Sequence, residues 1–161
     1  MTARTFRLDS RADTERLARS LAHVTQPGDA LLLSGPLGAG KSVFARAFLQ
    51  TLCEDPSLDV PSPTFTLVQT YDSPKGAVWH FDLWRLQGPE ALEELGWEDA
   101  RDGIVLVEWP ERLEDLTPTP ALHLTLTPHP APDRNEDEDT PRTATLSGWE
   151  NRPLSEDFPL A

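Results

Sequence analysis

The apolar positions along the chain follow three patterns, and each predicts a different element. Ala30-Leu31-Leu32-Leu33 and Ile104-Val105-Leu106-Val107 are continuous apolar runs, as strands buried on both faces require. Thr5-Phe6-Arg7-Leu8 alternates and predicts a short edge strand. The stretch from Ala121 to Thr127 and that from Arg142 to Leu146 alternate in the same way, which predicts an antiparallel pair at the sheet edge. A third pattern has helical spacing. Leu17, Ala18, Leu21 and Ala22 share one face behind the cap residues Asp9 and Ser10. Val43, Phe44, Ala47 and Phe48 recur at three and four residues, predicting a packed helix that runs to about Cys53. Ala77 to Leu86 reads as a strand ending in polar residues, and Pro89 to Leu95 as a short acidic amphipathic helix with a solvated charged face.

Between the first apolar run and the second helix lies Gly35-Pro36-Leu37-Gly38-Ala39-Gly40-Lys41-Ser42, which meets the pattern G-x-x-x-x-G-K-[ST] at every fixed position. Strand, glycine-rich turn and helix stand in the order that a phosphate-binding loop needs. Glycines let successive backbone N–H groups curl toward phosphate oxygens, and the helix start adds partial positive charge. Lys41 would reach the terminal phosphates as a point charge, and Ser42 would offer its hydroxyl to a magnesium ion. Gly35, Leu37, Gly38, Ala39 and Gly40 form the expected cradle, with Lys41, Ser42 and Val43 opening the helix. The fold expected is therefore α/β, of the P-loop NTPase kind. It has a mostly parallel sheet flanked by helices, with antiparallel edge strands near the C-terminus.

Such a loop needs a carboxylate partner, and Glu108 ends the second apolar run where open α/β sheets bind ligands. Asp82 follows another apolar stretch and has two readings: a metal-linked or water-positioning carboxylate, or a turn cap paired with Arg85. His80 reads as a strand histidine with a satisfied hydrogen bond rather than a catalytic base. Pro61 and Pro63 hold the chain extended into Thr64, at the entrance of a further strand. That loop is either an ordinary turn or a switch sensing the last phosphate. Trp109 fits interface packing and a nucleotide contact equally.

Composition narrows the setting. A net charge of −13 and a pI near 4.6 argue against a surface that grips nucleic acid by itself, so a role in a nucleic-acid pathway would run through protein partners. Cys53 is the only cysteine, which excludes an internal disulfide and suits a reducing compartment. No secretory pattern or membrane-length apolar stretch is present, so a cytoplasmic location is expected. Residues 1–150 are expected to form one domain. The Pro- and acid-rich stretch 128–141 would be a solvated loop, and 151–161 a flexible tail.

Four stretches together resemble the TsaE (YjeE) family of small bacterial ATPases of tRNA threonylcarbamoyladenosine synthesis. They are the phosphate loop, Ser62-Pro63-Thr64-Phe65-Thr66-Leu67, His80-Phe81-Asp82-Leu83-Trp84-Arg85-Leu86 and Val107-Glu108-Trp109-Pro110-Glu111, and the resemblance spans about residues 5–148. It implies binding of ATP and Mg2+, slow hydrolysis, and action with the TsaB–TsaD pair that modifies the adenosine beside the anticodon, with tRNA met only indirectly. By motif position it implies that Lys41, Asp82, Thr64 and Glu108 serve hydrolysis, with Ser42 and Glu108 toward the metal. It also implies that Ser10, Thr14, Trp109 and Arg142 approach the nucleotide. Trp84 stands where the family usually has Tyr, so no role needing that hydroxyl carries over. Two other classes share the loop: a small-molecule kinase, although no Arg-rich lid stands out, and a nucleotide-gated binding module with negligible turnover.

Overall fold

Residues 3–36, 38–63, 66–129, 140–152 and 154 are described by the computed structural model. Leu37, Thr64 and most of the acidic 128–141 stretch lie outside these residues, as does most of the 151–161 tail. The elements run β1 (Arg4–Leu8), α1 (Arg11–Val24), β2 (Ala30–Ser34), α2 (Lys41–Leu52), β3 (Val68–Ser73) and β4 (Gly76–Asp82). There follow a 3-10 helix (Pro89–Leu95), α3 (Trp97–Ala100), β5 (Ile104–Glu108), a second 3-10 helix (Pro110–Leu116), β6 (Leu122–Pro128) and β7 (Arg142–Ser147).

The seven strands form one sheet in the order β1-β7-β6-β2-β5-β4-β3. Its centre, β6-β2-β5-β4, is parallel, and both edges are antiparallel. The continuous apolar runs occupy the middle because both their faces are covered. Leu31, Leu33, Ile104 and Leu106 enter the cluster beneath α1 and α2 with Leu17, Leu21, Phe44 and Phe48. Ala30, Leu32, Val105 and Val107 enter the opposite cluster with Phe81, Leu83, Trp97 and Leu113. One strand serves two cores, so no polar position interrupts it.

The alternating stretches pair as expected, β6 with β7 antiparallel, but β6 is not an edge. It also runs parallel to β2, and the true edge on that side is β1, against β7. β6 alternates because only its Leu122, Leu124 and Leu126 face is covered, while His123, Thr125 and Thr127 stay exposed. Alternation reports how many faces are covered, not which strand lies alongside. The acidic Pro89–Leu95 segment is a 3-10 helix that buries Leu92 and stops at Gly96, in the left-handed region at φ 85°.

Two basic side chains tie distant segments together. Lys75, in the β3–β4 turn, donates to the carbonyls of Ala22, His23 and Thr25 at the end of α1, where a cation suits the helix dipole. Arg152 makes a two-pronged contact with Asp29 at 2.5 and 3.0 Å and lies 4.4 Å over the Trp149 ring. Among the described residues no helix is long and apolar enough to cross a membrane.

Phe48 is fully buried and stacks on Phe44 with ring centroids 5.8 Å apart. Phe48→Ala should cost about 3–5 kcal/mol through lost burial and an unfilled cavity, read as a lowered urea midpoint at unchanged slope.

Candidate nucleotide site

The loop leaves β2 at Ser34 and turns through Gly35 (φ 149°), Gly38 (φ 83°) and Gly40 (φ 98°) before α2 starts at Lys41. Two of these glycines are required by space as well as by backbone. A Cβ at Gly35 would lie 2.7 Å from the Leu126 carbonyl oxygen, and one at Gly40 only 1.8 Å from Arg142 Nη1. Arg142 is fully buried beneath the loop. Its guanidinium donates to the Ala39 carbonyl at 2.5 Å and to the Thr140 carbonyl through Nε and Nη2 at 3.0 and 2.8 Å. A planar five-donor group suits this work, because carbonyls on two segments can share it. Arg142 therefore braces the loop from below, touching its backbone.

Lys41 folds back across the loop. Its ammonium donates to the Gly35 carbonyl at 2.6 Å and sits 3.5 Å from the centre of the Trp109 ring. Burial pushes its pKa below the ordinary lysine value, and the nearby carboxylates of Glu108, Asp82 and Glu111 oppose that shift. Ser42, one residue on, is exposed, and Val43 turns its side chain into the interior.

Carboxylates reach the loop because of strand register. Asp82 ends β4 directly opposite Glu108 at the end of β5, and Glu108 in turn lies opposite Leu33 of β2. Both acids are buried. Asp82 Oδ1 accepts from the Trp84 backbone N–H at 3.0 Å, a turn-cap contact, and the side chain also stands in the field of Lys41. Glu108 Oε2 lies 2.6 Å from His80 Nε2, the satisfied hydrogen bond expected of that histidine. His80 and Asp82, two residues apart, point to the same sheet face, and that spacing was the available signal that the histidine belongs with the acids.

Past β5 the chain enters the left-handed region at Trp109 (φ 59°), which swings the indole over Lys41. Its ring meets that of Trp84 at 4.4 Å and 45°, and Trp84 is 42% exposed. The loop, Lys41, Asp82, Glu108 and Trp109 thus converge at the C-terminal ends of the parallel strands. Ser10 and Thr14 lie at the start of α1, where the Ser10 carbonyl accepts from the Asp13 and Thr14 N–H groups. Thr14 is buried, and its hydroxyl has no partner among the described residues. Leu8, just before this turn, pairs with Arg142, which brings the α1 start toward the loop.

A family model described as threonylcarbamoyl adenosine biosynthesis protein TsaE matches residues 8–136. The chain belongs to the TsaE family. It is 40% identical over 120 residues to the tRNA threonylcarbamoyladenosine biosynthesis protein TsaE of Rickettsia conorii, covering 74% of this chain and 68% of that protein. The TsaE of Aquifex aeolicus is 41% identical over 106 residues (65% and 75% covered), and that of Bacillus subtilis 33% over 116 (71% of each). The crystal structure of Bacillus subtilis YdiB superposes with a TM-score of 0.65 at 26% identity, over 94% of this chain and 88% of that one. The TsaE family functions in tRNA threonylcarbamoyladenosine biosynthesis. Arg142 lies beyond the span that the TsaE model matches, yet its guanidinium donates directly to the loop at the Ala39 carbonyl.

Two outcomes follow from this packing. Gly40→Ala should destabilise the protein by at least about 1–2 kcal/mol from the left-handed backbone alone, with the Arg142 collision added. Adding Arg142→Ala should recover part of that loss in urea unfolding. Lys41 gives a pH test. With its folded pKa lowered, the unfolded chain holds the proton more tightly, so this group's penalty is present at neutral pH and relieved as pH rises through the lowered value. Lys41→Met should therefore melt at or above wild type near neutral pH. The gap should shrink toward about pH 10, where lysines ordinarily titrate.

Proposed function

We propose that this TsaE-family chain is a magnesium-dependent, slowly turning ATPase. In this reading it acts with TsaB and TsaD in threonylcarbamoyladenosine modification of the tRNA adenosine next to the anticodon. One observation carries the reading: the loop donors, Lys41 and the two buried carboxylates converge at one end of the parallel strands. The acidic balance of the chain favours a protein partner over direct contact with tRNA.

The donor set suits magnesium rather than a metal caged by protein alone. Among the described residues no group of three or more His, Cys, Asp or Glu side chains could hold a metal ion. Magnesium characteristically takes one or two carboxylates and completes its shell with water and substrate phosphates. Ser42 and Glu108 would hold it here. Once bound, it would neutralise charge on the phosphate oxygens.

The chain's own residues supply position and charge. Loop N–H groups orient the phosphates, and Lys41 exchanges the Gly35 carbonyl for a phosphate oxygen. Asp82, or Thr64 from the loop before β3, orients the attacking water. Ser10 and Thr14 support the nucleotide from the α1 side, Arg142 supports it through the loop backbone it braces, and Trp109 closes the phosphate end. ATP rather than GTP rests on the family resemblance, because a phosphate loop does not read the base.

ATP hydrolysis by the pure protein should be low and should rise on adding TsaB and TsaD from the same source. Both activities should vanish with EDTA and fall at least about 100-fold in Lys41→Ala. Near-normal hydrolysis by Lys41→Ala would sink the assignment, and phosphate transfer to a metabolite would favour a kinase.

A further inference from the structure

We propose that His80 is a positioning residue that holds the Glu108 carboxylate in the orientation magnesium requires. The proposal rests on the reading of Glu108 as a metal-shell residue. Its basis is the geometry of three side chains on one sheet face. His80 and Asp82 alternate along β4, Glu108 ends the neighbouring parallel strand β5, and all three are buried. The imidazole Nε2 lies 2.6 Å from Glu108 Oε2, within reach of a strong charge-assisted hydrogen bond. An ionised carboxylate only accepts, so Nε2 carries the proton in this contact. The other ring nitrogen, Nδ1, is buried with no hydrogen-bond partner among the described residues. The ring therefore directs its hydrogen bonding at one target, Glu108 Oε2.

A purely structural bridge explains this poorly. β4 and β5 are already joined by backbone pairing from Val78–Ile104 to Asp82–Glu108, and apolar clusters cover both faces. A buried polar pair adds little stability beyond that, because desolvation offsets most of the attraction. What the contact does add is direction. Held through Oε2, Glu108 cannot turn freely, and one carboxylate oxygen stays assigned to the histidine. Outer partners of this kind orient metal-binding carboxylates, and their loss typically lowers metal affinity or activity 10–100-fold.

The test is a magnesium titration of nucleotide binding, read by fluorescence of an N-methylanthraniloyl ATP analogue on the full chain, alongside hydrolysis. His80→Leu should need about tenfold more Mg2+ for its half-maximal effect, while metal-free affinity for the analogue stays near wild type. His80→Gln, which returns an N–H at a similar reach, should recover most of the shift. Glu108→Gln should shift the requirement as well, and the double variant His80→Leu/Glu108→Gln should shift it no further than Glu108→Gln alone. Additive shifts, or an unshifted and folded His80→Leu, would overturn the positioning role while leaving Glu108 in the shell. An unshifted Glu108→Gln would overturn the metal-shell reading and the positioning role with it. If His80→Leu does not fold, the wild type still answers. The His80 Nε2 resonance in 15N-labelled protein should move when Mg2+ joins a non-hydrolysable ATP analogue and not with the analogue alone. A resonance that stays put overturns the proposal.

Discussion

Backbone pairing among β2, β5 and β4 is the constraint on which the site depends. Leu33 lies opposite Glu108, and Glu108 opposite Asp82, so the end of the loop strand and two acids come level across three adjacent strands. A slip of one residue in β5 would send Glu108 to the other face, away from α2 and the loop. What forbids the slip is the two-sided core. Ile104 and Leu106 fit beneath the helices, while Val105 and Val107 fit against Phe81 and Trp97. The chemistry at the strand ends is thus fixed by apolar packing along their length.

Around that frame, charge is managed by proximity. Lys41 is desolvated enough to lower its pKa, yet it rests against the Gly35 carbonyl, an aromatic face and the field of three acids. Arg142, fully buried, meets loop carbonyls rather than water. Two cations beneath and beside the glycine loop sit in a protein of net charge −13. Within the site three acids, Glu108, Asp82 and Glu111, stand in the field of Lys41.

Much of this was legible in the residues. The loop, the strand before it, α2, and Glu108 at the end of a run buried on both faces could all be placed because each has a local cause: fixed glycines, helical spacing, an unbroken apolar run. The α1 face of Leu17, Ala18, Leu21 and Ala22 was legible for the same reason, and all four are buried. What could not be read depends on partners distant in the chain. Alternation in β6 fixed its covered face but not its parallel seat beside β2. The bond from His80 to Glu108 crosses strands 28 residues apart, and the one from Arg142 to Ala39 spans 103. The left-handed backbone at Trp109 has no glycine to announce it.

The pairing of β1 with β7 has a consequence for how the protein is made. β1 is translated before β7, yet among the described residues its neighbour in the sheet is β7, and Leu8 meets Arg142 across that seam. Until β7 leaves the ribosome, β1 has no partner, β6 shows an open edge, and nothing braces Ala39 from below. The loop and all its carboxylates can therefore be synthesised and still lack their final support. The brace under the loop therefore arrives only with β7, after the loop and both acids are already in the chain.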